Sequence, residues 1–400
     1  MQQTITPEIV QNLAKTYFSE IQTFRRHLHA HPELSFQEYQ TAEYIATQLK
    51  NADIEFQAGV AGTGIVATIQ GQNPESKTIA LRADIDALPI VEQNDVPYKS
   101  QNEGVMHACG HDVHTASLLG CAKILQNLKN HFEGTVRLIF QPGEEKIPGG
   151  ASLMIKEGVL ENPKPKAIFG QHVMPLLPVG KVGFREGMYM ASADELYVKV
   201  IGKGGHAAMP ENCIDAVLIA SHIIVALQQI VSRNAPPKIP SVLSFGKVIA
   251  NGATNILPNE VYLEGTFRTF DENWRNTAHE KMVKMAQSIA EAMGGKCEFE
   301  VRRGYPFLKN NPLLTQKAKL WAETYLGKEN VVDLDIWLAA EDFAYYSQVA
   351  DACFYRLGTR NESKGIISGV HTPTFDIDEQ ALEIGAGLMA WLALQSLQEM

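Results

Sequence analysis

The chain has 400 residues, a length at which two domains are expected rather than one. Apolar residues make up 45% of it and charged residues 20%, which is the composition of a globular protein without a disordered tail. The formal net charge of −10 argues against a nucleic-acid partner, because a phosphate backbone selects basic surfaces.

The first part of the chain alternates between predicted helices and short apolar strands. The first 50 residues are predicted to be helical, with a helix that begins after Thr6, Pro7 in its first turn and an apolar stripe from Ile9 to Leu28. Helical patterns, notably over 115–130, separate most of the four apolar runs that follow. These runs are predicted strands at 65–69, 78–83, 135–141 and 167–172. The alternation predicts an α/β sheet with helices on both faces.

The pattern changes between residues 195 and 302, where the order β-α-β-β-α-β is typical of a ferredoxin-like domain. The predicted elements there are a strand at 195–201, a helix at 214–233, strands at 242–249 and 260–270, a helix at 272–293 and a strand at 296–302. Further helices are expected at 313–326 and 379–398, with short strands near Val331 and at 354–357. We therefore predict a discontinuous catalytic domain, 1–188 and 303–400, with a smaller domain, 189–302, inserted into it.

Three features of the sequence indicate where in the cell the protein is located. The most apolar helical stretch, Val217 to Val231, is interrupted by polar side chains and does not predict a membrane span. The residues from Met1 to Thr4 lack the basic and apolar regions of a signal peptide. Five scattered cysteines, an odd number, fit reduced thiols. We expect a soluble cytoplasmic protein with no membrane partner.

The candidate chemistry lies in two short segments. The first contains Cys109 and His111, and the second contains the adjacent pair Glu144 and Glu145. A thiolate, imidazoles and carboxylates are ligands that a divalent metal takes in proteins, and a carboxylate left over can transfer protons. Taken alone, Cys109 also fits a small buried apolar residue, and the glutamates fit a solvated turn. The set as a whole favours a metal-dependent hydrolase.

These groups follow predicted strands at their carboxyl ends. Asp84 and Asp86 follow one strand, the glutamate pair follows another, and His172 ends a third. Ligands collect at this edge of open α/β sheets, so we expect one shared site. Since Cys109 and His111 are two residues apart, we expect an extended turn before a helix beginning at Thr115 to direct both at one ion.

The glutamate pair carries a prediction of its own. If the segment is extended, Glu144 and Glu145 point to opposite sides, so that one binds metal while the other faces substrate.

Other histidines have weaker claims. His27, His29 and His31 could chelate a metal, but a structural role is favoured because they are far in sequence from the other ligands. His114 fits either support for a ligand or an ordinary helix start, and the role of His107 stays open. The glycine-rich turn before His206 lacks the spacing of a phosphate loop.

Further motifs extend the pattern along the chain. They are Arg25-Arg26-His27-Leu28-His29, Leu81-Arg82-Ala83-Asp84-Ile85-Asp86, His107-Ala108-Cys109-Gly110-His111-Asp112, Gln141-Pro142-Gly143-Glu144-Glu145, Gln171-His172-Val173, Gly204-Gly205-His206, Thr254-Asn255-Ile256-Leu257-Pro258, Ala340-Glu341-Asp342-Phe343 and His371-Thr372-Pro373. In this order they resemble the M20 metallopeptidase family. They are most similar to its amidohydrolase branch, which includes hippurate hydrolases, N-acyl-amino-acid deacylases and auxin-conjugate hydrolases.

The resemblance implies an α/β fold with a mixed-sheet, zinc-peptidase-like catalytic domain and an inserted ferredoxin-like α+β lid and dimerisation domain. It also implies two divalent metal ions, with zinc, manganese, nickel and cobalt left open. The implied ligands are Cys109, His111, Glu145, His172 and His371. Glu144 would be the general base, and Asp86 would support a ligand.

The remaining implied roles concern substrate and assembly. His206 would stabilise the oxyanion, reaching the partner subunit's site in a homodimer formed through the lid. Asn255, Arg268 and Glu341 would bind substrate. The expected reaction is hydrolysis of an N-acyl amino acid to a carboxylate and a free amino acid. The alternatives are a metallo-dipeptidase or carboxypeptidase, a non-catalytic metal-binding relative, and an assembly module acting through its lid.

Overall fold

The computed structural model describes residues 5–399. The prediction that there is no signal peptide rests on residues 1–4, which lie outside that range. The helices are α1 (Pro7–Ala30), α2 (Tyr39–Asn51), α3 (His111–Leu128), α4 (Gly150–Lys156), α5 (Ala216–Gln229), α6 (Glu272–Ala292), α7 (Pro312–Leu326), α8 (Ala344–Ser347) and α9 (Gln380–Glu399).

Sixteen strands complete the regular structure of the described residues. They are β1 (Glu55–Val60), β2 (Gly64–Gln70), β3 (Thr78–Asp84), β4 (Thr135–Gln141), β5 (Ile168–Pro178), β6 (Val182–Phe184), β7 (Gly187–Met190), β8 (Asp194–Ile201), β9 (Gly205–His206), β10 (Ser241–Ile249), β11 (Ile256–Leu257), β12 (Glu260–Thr269), β13 (Lys296–Arg303), β14 (Leu308–Asn310), β15 (Val331–Asp333) and β16 (Ala352–Arg360).

Contacts within the chain divide it into two compact units. The first unit takes in the described chain up to Gly187, then Lys309–Asp335, and the described chain from Tyr345 onward. The second unit is made of Met188–Leu308 and Ile336–Ala344.

The first unit is built on an eight-stranded mixed sheet with the order β1-β2-β4-β3-β5-β16-β6-β15. Neighbours among β4, β3, β5 and β16 are parallel, whereas β1, β2 and β4 pair antiparallel. All seven residues of β3 and of β4 are buried, as expected of strands covered on both faces. This sheet confirms the predicted mixed α/β class.

Helices α1, α3 and α9 pack together in the core of the first unit. Their close approach depends on Gly120 in α3. A Cβ on Gly120 would lie 2.5 Å from Ile21 Cδ1 of α1 and 2.9 Å from Ala386 Cβ of α9. Because Gly120 has no side chain, α3 can pack closely against both α1 and α9. The first residue of α3 is His111.

The second unit has the predicted order β8-α5-β10-β12-α6-β13. Its four strands form an antiparallel sheet in the order β10-β12-β8-β13, which is the ferredoxin-like arrangement. Burial alternates along β8, and Leu196, Val198 and Val200 face the two helices as one core.

The stretch Ala216–Asn234 of the second unit has the length and composition of a membrane-spanning helix. Its Ile219 and Ile223 are buried in the core of this unit, and core helices of soluble domains meet the same criterion.

Candidate metal centre

The parallel strands position Glu145 and His172, two of the five predicted ligands, together with the neighbouring Asp84. Asp84 is the last residue of β3, His172 lies within β5, and Glu145 follows β4 by four residues. Cys109 stands just before α3, whose first residue is His111.

The last ligand comes from much later in the chain. His371 lies in the segment between β16 and α9. Its backbone N–H donates to the carbonyl of Ala108 at 2.7 Å, which places it beside the Cys109 turn.

The structure brings all five predicted metal ligands together. His371 Nε2 lies 3.2 Å from Cys109 Sγ and 3.4 Å from Glu145 Oε1. His172 Nε2 lies 3.5 Å from Cys109 Sγ, and His111 Nε2 lies 3.9 Å from Glu145 Oε1. Tetrahedral bonds of about 2.0–2.3 Å would separate neighbouring ligand atoms by roughly 3.3–3.8 Å, and the three spacings that involve Cys109 or His371 lie in or within about 0.1 Å of this range, as ligands of a shared cation would.

Two sets of three donors share Cys109. One set is Cys109, His111 and His172, and the other is Cys109, Glu145 and His371. Within each set the ligand atoms lie within 4.8 Å of one another. The thiolate is therefore the group best placed to contact two ions at once.

Two of the histidine rings make a hydrogen bond through Nδ1, which leaves Nε2 for a metal. His172 Nδ1 donates to the carbonyl oxygen of Val173 at 2.8 Å, and His111 Nδ1 donates to Asp86 Oδ1 at 3.1 Å. In the neutral form of each ring the Nε2 lone pair is then available to a metal, which would take the place of a proton.

The interior of the site contains lone pairs that no hydrogen bond satisfies. His111 Nε2 and Glu145 Oε1 are buried and have no hydrogen-bond partner. Buried polar atoms are costly unless they are satisfied, and a divalent cation would satisfy both. The donor set therefore fits a metal site by its own geometry.

The electrostatics of the site also favour a cation. Burial alone would lower the pKa of His111, but Asp84, Asp86 and Glu145 raise it to about 10. Burial first, and then Glu145, raises the pKa of the Cys109 thiol well above its usual range. The carboxylates around these groups give the site an excess of negative charge, which a bound divalent ion would compensate. A thiol that coordinates such an ion would lose its proton.

Asp86 uses both oxygens to orient other groups. Its Oδ1 accepts from His111, and its Oδ2 accepts from the Ser35 hydroxyl at 2.6 Å and the Glu145 N–H at 3.0 Å. Asp86 thereby fixes both a ring and the backbone of a second ligand, contacts that suit the supporting role predicted for it.

Asp84 and His114 form a second supporting pair. His114 Nδ1 donates to Asp84 Oδ1 at 2.5 Å, while its Nε2 accepts the N–H of Val173 at 2.9 Å. Both ring nitrogens are occupied, so His114 supports the site and does not point a lone pair into it. The sequence placed Asp84 at a strand end but assigned it no role. Its Oδ2 lies 3.7 Å from His111 Nε2.

Two local predictions differ from the structure. Helix α3 begins at His111 and not at Thr115, because Gly110 adopts a left-handed conformation (φ 83°) and turns the chain into the helix. A Cβ there would also lie 2.6 Å from Val173 Cγ2. Of the two predicted ligands, Cys109 therefore lies in the turn before the helix and His111 lies in the helix itself.

Glu144 and Glu145 lie in a turn and not in an extended segment. Gly143, at φ 59°, donates its N–H to the buried carboxylate of Glu38 at 2.8 Å and anchors this turn. Glu144 is 6% exposed. One of its carboxylate oxygens lies within 4.8 Å of a ring nitrogen of His111 and of a carboxylate oxygen of Glu145.

His371 has a backbone conformation that few residues adopt. Its φ is 61°, in the left-handed region, where a non-glycine residue is strained. Its side chain is 52% exposed, unlike the buried rings of His111 and His172. Periodicity does not identify such a residue, and only the family resemblance pointed to it.

The second unit contains the other predicted residues. β9 pairs with β11, and the N–H of Ala207 donates to the carbonyl of Asn255 at 3.0 Å, so His206 and Asn255 lie side by side. Arg268 lies on β12 and donates to Thr266, whereas Glu341 is buried in the segment Ile336–Ala344.

His206 has a defined tautomer in this turn. Its Nδ1 accepts the N–H of Ala208 at 3.1 Å, so in the neutral ring Nε2 carries the proton.

The predicted structural role of the N-terminal histidines agrees with their contacts. His29 is buried between Asp112 and Glu92, and the ring of His27 stacks on Tyr44. His107 is buried, and burial lowers its pKa to about 4.

Comparisons with known proteins agree with this geometry. The family described as peptidase family M20/M25/M40 matches residues 80–395. An N-acetylcysteine deacetylase of Bacillus subtilis is 40% identical over 96% of this chain and 98% of its own. A thermostable carboxypeptidase of Saccharolobus solfataricus is 39% identical over 97% and 98%.

A solved structure from Bacillus subtilis, described as a dinuclear metal-binding peptidase of the M20 family, superposes with a TM-score of 0.83. It is 36% identical in sequence, and the match covers 96% of this chain and all of that one. The resemblance drawn from the motifs is therefore confirmed. The chain belongs to peptidase family M20/M25/M40 and is a metal-dependent hydrolase that acts on amides.

Proposed function

We propose that this protein hydrolyses the amide bond of N-acyl amino acids and releases a carboxylate and a free amino acid. The observation that carries the proposal is the convergence of Cys109, His111, Glu145, His172 and His371 around open lone pairs. The deacetylase and the carboxypeptidase relatives both act at amide bonds, which supports the reaction class.

Two divalent ions would occupy the site, held by the two donor sets that share Cys109. The solved relative described as dinuclear supports this number. Zinc, nickel and cobalt suit the thiolate, and manganese suits the carboxylates and imidazoles. When bound, these ions would polarise the acyl carbonyl and increase the acidity of water. Removing all metal and adding back single metals would identify the active ion.

Glu144 is the group we assign as general base. Its carboxylate lies beside the ligands but outside the two sets that share Cys109. It would take the proton of the attacking water and deliver it to the leaving nitrogen.

The test is Glu144→Gln, assayed on N-acetyl and N-benzoyl amino acids, with exposed Glu161→Gln as the matched control. We expect kcat to fall by about 10²–10⁴-fold in the Glu144 variant, with metal content unchanged. Turnover near that of the control would refute the assignment.

His206 is the group we assign to oxyanion stabilisation. Because its Nδ1 accepts a backbone N–H, Nε2–H is the available donor, and neighbouring Asn255 could contact the substrate. Loss of one such donor typically lowers the rate by about 10²–10³-fold.

We further propose that the protein is a cytoplasmic homodimer formed through the second unit, with His206 acting on the site of the partner. Light scattering tests the assembly. A strict monomer would rule out action in trans.

Peptidase activity is the second candidate, because the carboxypeptidase relative covers nearly the whole chain. A side-by-side assay of dipeptides and N-acyl amino acids distinguishes the two. Higher kcat/KM on dipeptides would replace the acyl-amino-acid proposal. If the metal-loaded protein cleaved neither class, a non-catalytic binding role would be favoured.

A further inference from the structure

The carboxyl-terminal half of α1 contains a buried arginine that the proposed reaction does not use. Arg25 is completely buried, and its guanidinium donates hydrogen bonds to two carboxylates from different nitrogens, while its Nη1 lies 3.6 Å from the carboxylate of Glu379. Nε donates to Asp112 Oδ2 at 2.8 Å, and Nη2 donates to Asp376 Oδ1 at 2.7 Å. The guanidinium also lies 4.6 Å from the centre of the Tyr98 ring.

Each carboxylate belongs to a segment that contributes a metal ligand. Asp112 is the second residue of α3 and follows His111 directly. Asp376 lies five residues after His371, in the segment that leads into α9. One side chain of α1 thus joins the two segments that meet at Cys109.

Neighbouring groups hold the two carboxylates in place. His29 binds the same oxygen of Asp112 at 2.8 Å, and the Tyr98 hydroxyl donates to Asp376 Oδ2 at 2.9 Å. Arg25, His29 and Asp112 are buried, so water competes little for the hydrogen bonds among them, whereas Asp376 and Tyr98 are partly exposed.

The segment that contains His371 is attached at several points, among them the carbonyls of Pro373 and Phe375, which accept from Gln93 and Asn94 at 2.8 Å each. His371 is a strained residue with a half-exposed side chain, and one backbone hydrogen bond joins it to Ala108. The link from Asp376 through Arg25 to Asp112 supplies a further attachment, to the helix that carries His111.

We propose that Arg25 is a positioning residue that holds His371 in register with Cys109 and His111 for metal binding. Arg25 is not among the proposed metal ligands. It acts through Asp112 and Asp376. This inference rests on the proposed metal site, and its test measures metal binding without any substrate.

The first test compares Arg25→Lys with Arg26→Lys in the full chain. Lysine keeps the charge but cannot bind two carboxylates through separate nitrogens of one rigid plane. Arg26 is 42% exposed, binds the carboxylate of Glu379 and lies 5.1 Å from the centre of the Tyr98 ring, but contacts neither Asp112 nor Asp376 in the described hydrogen bonds and ion pairs, so it controls for loss of an arginine on the same helix. Metal affinity is measured by competition with a chelator and metal content by elemental analysis.

We expect Arg25→Lys to weaken the binding of metal by about 10–100-fold, as losses of supporting residues do, and Arg26→Lys to leave it unchanged. In cobalt-loaded Arg25→Lys protein, the absorption from thiolate and imidazole ligation should shift, because a displaced His371 changes the coordination. Equal affinity and equal spectra in both lysine variants would overturn the proposal.

A second variant guards against failure of Arg25→Lys to fold. Asp376 is 15% exposed, so Asp376→Ala removes the same link with less disturbance of the core. We expect a similar loss of metal affinity, and no further loss when both substitutions are combined. A lower melting temperature with unchanged metal affinity would show a purely structural role and sink the inference. Wild-type protein that binds no metal would instead refute the proposed function.

Discussion

Arg25 in the first unit and Arg275 in the second are each buried in a network with aspartate and histidine. Arg25 links segments that carry the proposed metal ligands His111 and His371. Arg275 of α6 binds Asp194 with two nitrogens, at 2.9 and 2.5 Å, and donates to the backbone carbonyl of Gly304. His279 completes that network through Asp194 at 2.6 Å. The second network therefore fastens the start of β8 to the chain that follows β13.

The two units differ in what they leave unsatisfied. Among the residues that the structure describes, the buried side-chain polar atoms without a hydrogen-bond partner all lie in the first unit, including His111 Nε2 and Glu145 Oε1. A protein accepts such a cost where function requires it. Of these atoms, His111 Nε2 and Glu145 Oε1 lie where the proposed metal would bind, whereas the Arg275 network of the second unit contains none of them.

Removal of Arg275 should have the largest effect on stability. Arg275→Gln leaves Asp194 buried without its cation, and we expect unfolding of the second unit to become easier by about 3–5 kcal/mol. Denaturant titration with limited proteolysis measures this, and metal affinity should not change. Exposed Arg302→Gln is the control and should behave as wild type. A loss of metal in Arg275→Gln would break the distinction between the networks.

Metal removal should act on the first unit alone. With metal at 100 times its dissociation constant, binding contributes about 2.7 kcal/mol, and chelation removes that contribution. Hydrogen exchange should become faster around residues 107–114, 141–146 and 371–376, and stay constant in β8, β12 and β13. Uniform acceleration in both units would contradict the comparison.

Two glycines with positive φ offer a finer test. Gly110→Ala meets Val173 Cγ2 at 2.6 Å, whereas the nearest atom at Gly294 is Ile214 Cδ1 at 3.8 Å. Both changes incur the left-handed backbone cost, so Gly110→Ala should destabilise by about 1–3 kcal/mol more, through overpacking. It should also weaken metal binding, since Gly110 joins two ligands. Thermal unfolding and metal titration of the pair check both statements.

The smallest expected effect concerns helix capping. Asp215 accepts the N–H groups of Val217 and Leu218 at the start of α5, and Asp215→Ala should cost about 1 kcal/mol. Thr6 makes no side-chain cap on α1, so Thr6→Ala should change stability much less. Equal losses of melting temperature would show that the caps do not differ as the structure indicates.

Much of the fold could be predicted from the sequence because burial leaves a periodic pattern. The strand predicted at 135–141 is β4 itself, and the order of elements in the second unit follows from alternation and apolar stripes. The sequence does not predict the first residue of a helix where a single backbone angle decides it. Gly110 shows this, since its left-handed conformation starts α3 four residues early.

The site was predictable where ligands follow strands, and not elsewhere. Glu145 and His172 stand at the carboxyl edge of the sheet, so topology alone brings them together. His371 lies in an irregular segment, and its position depends on long-range contacts that no local pattern records. The role of Arg25 was hidden for the same reason, because both of its partners are distant in sequence.

The order of the metal ligands along the chain has a consequence for biosynthesis. A ribosome completes the entire four-stranded sheet of the second unit before it has made β16, His371 or α9. The nascent first unit therefore lacks one metal ligand and the helix that packs against α1 and α3 while its neighbour can already fold. Loading of a complete metal cluster must follow synthesis of this last segment, which makes metal capture a late event in the life of the polypeptide.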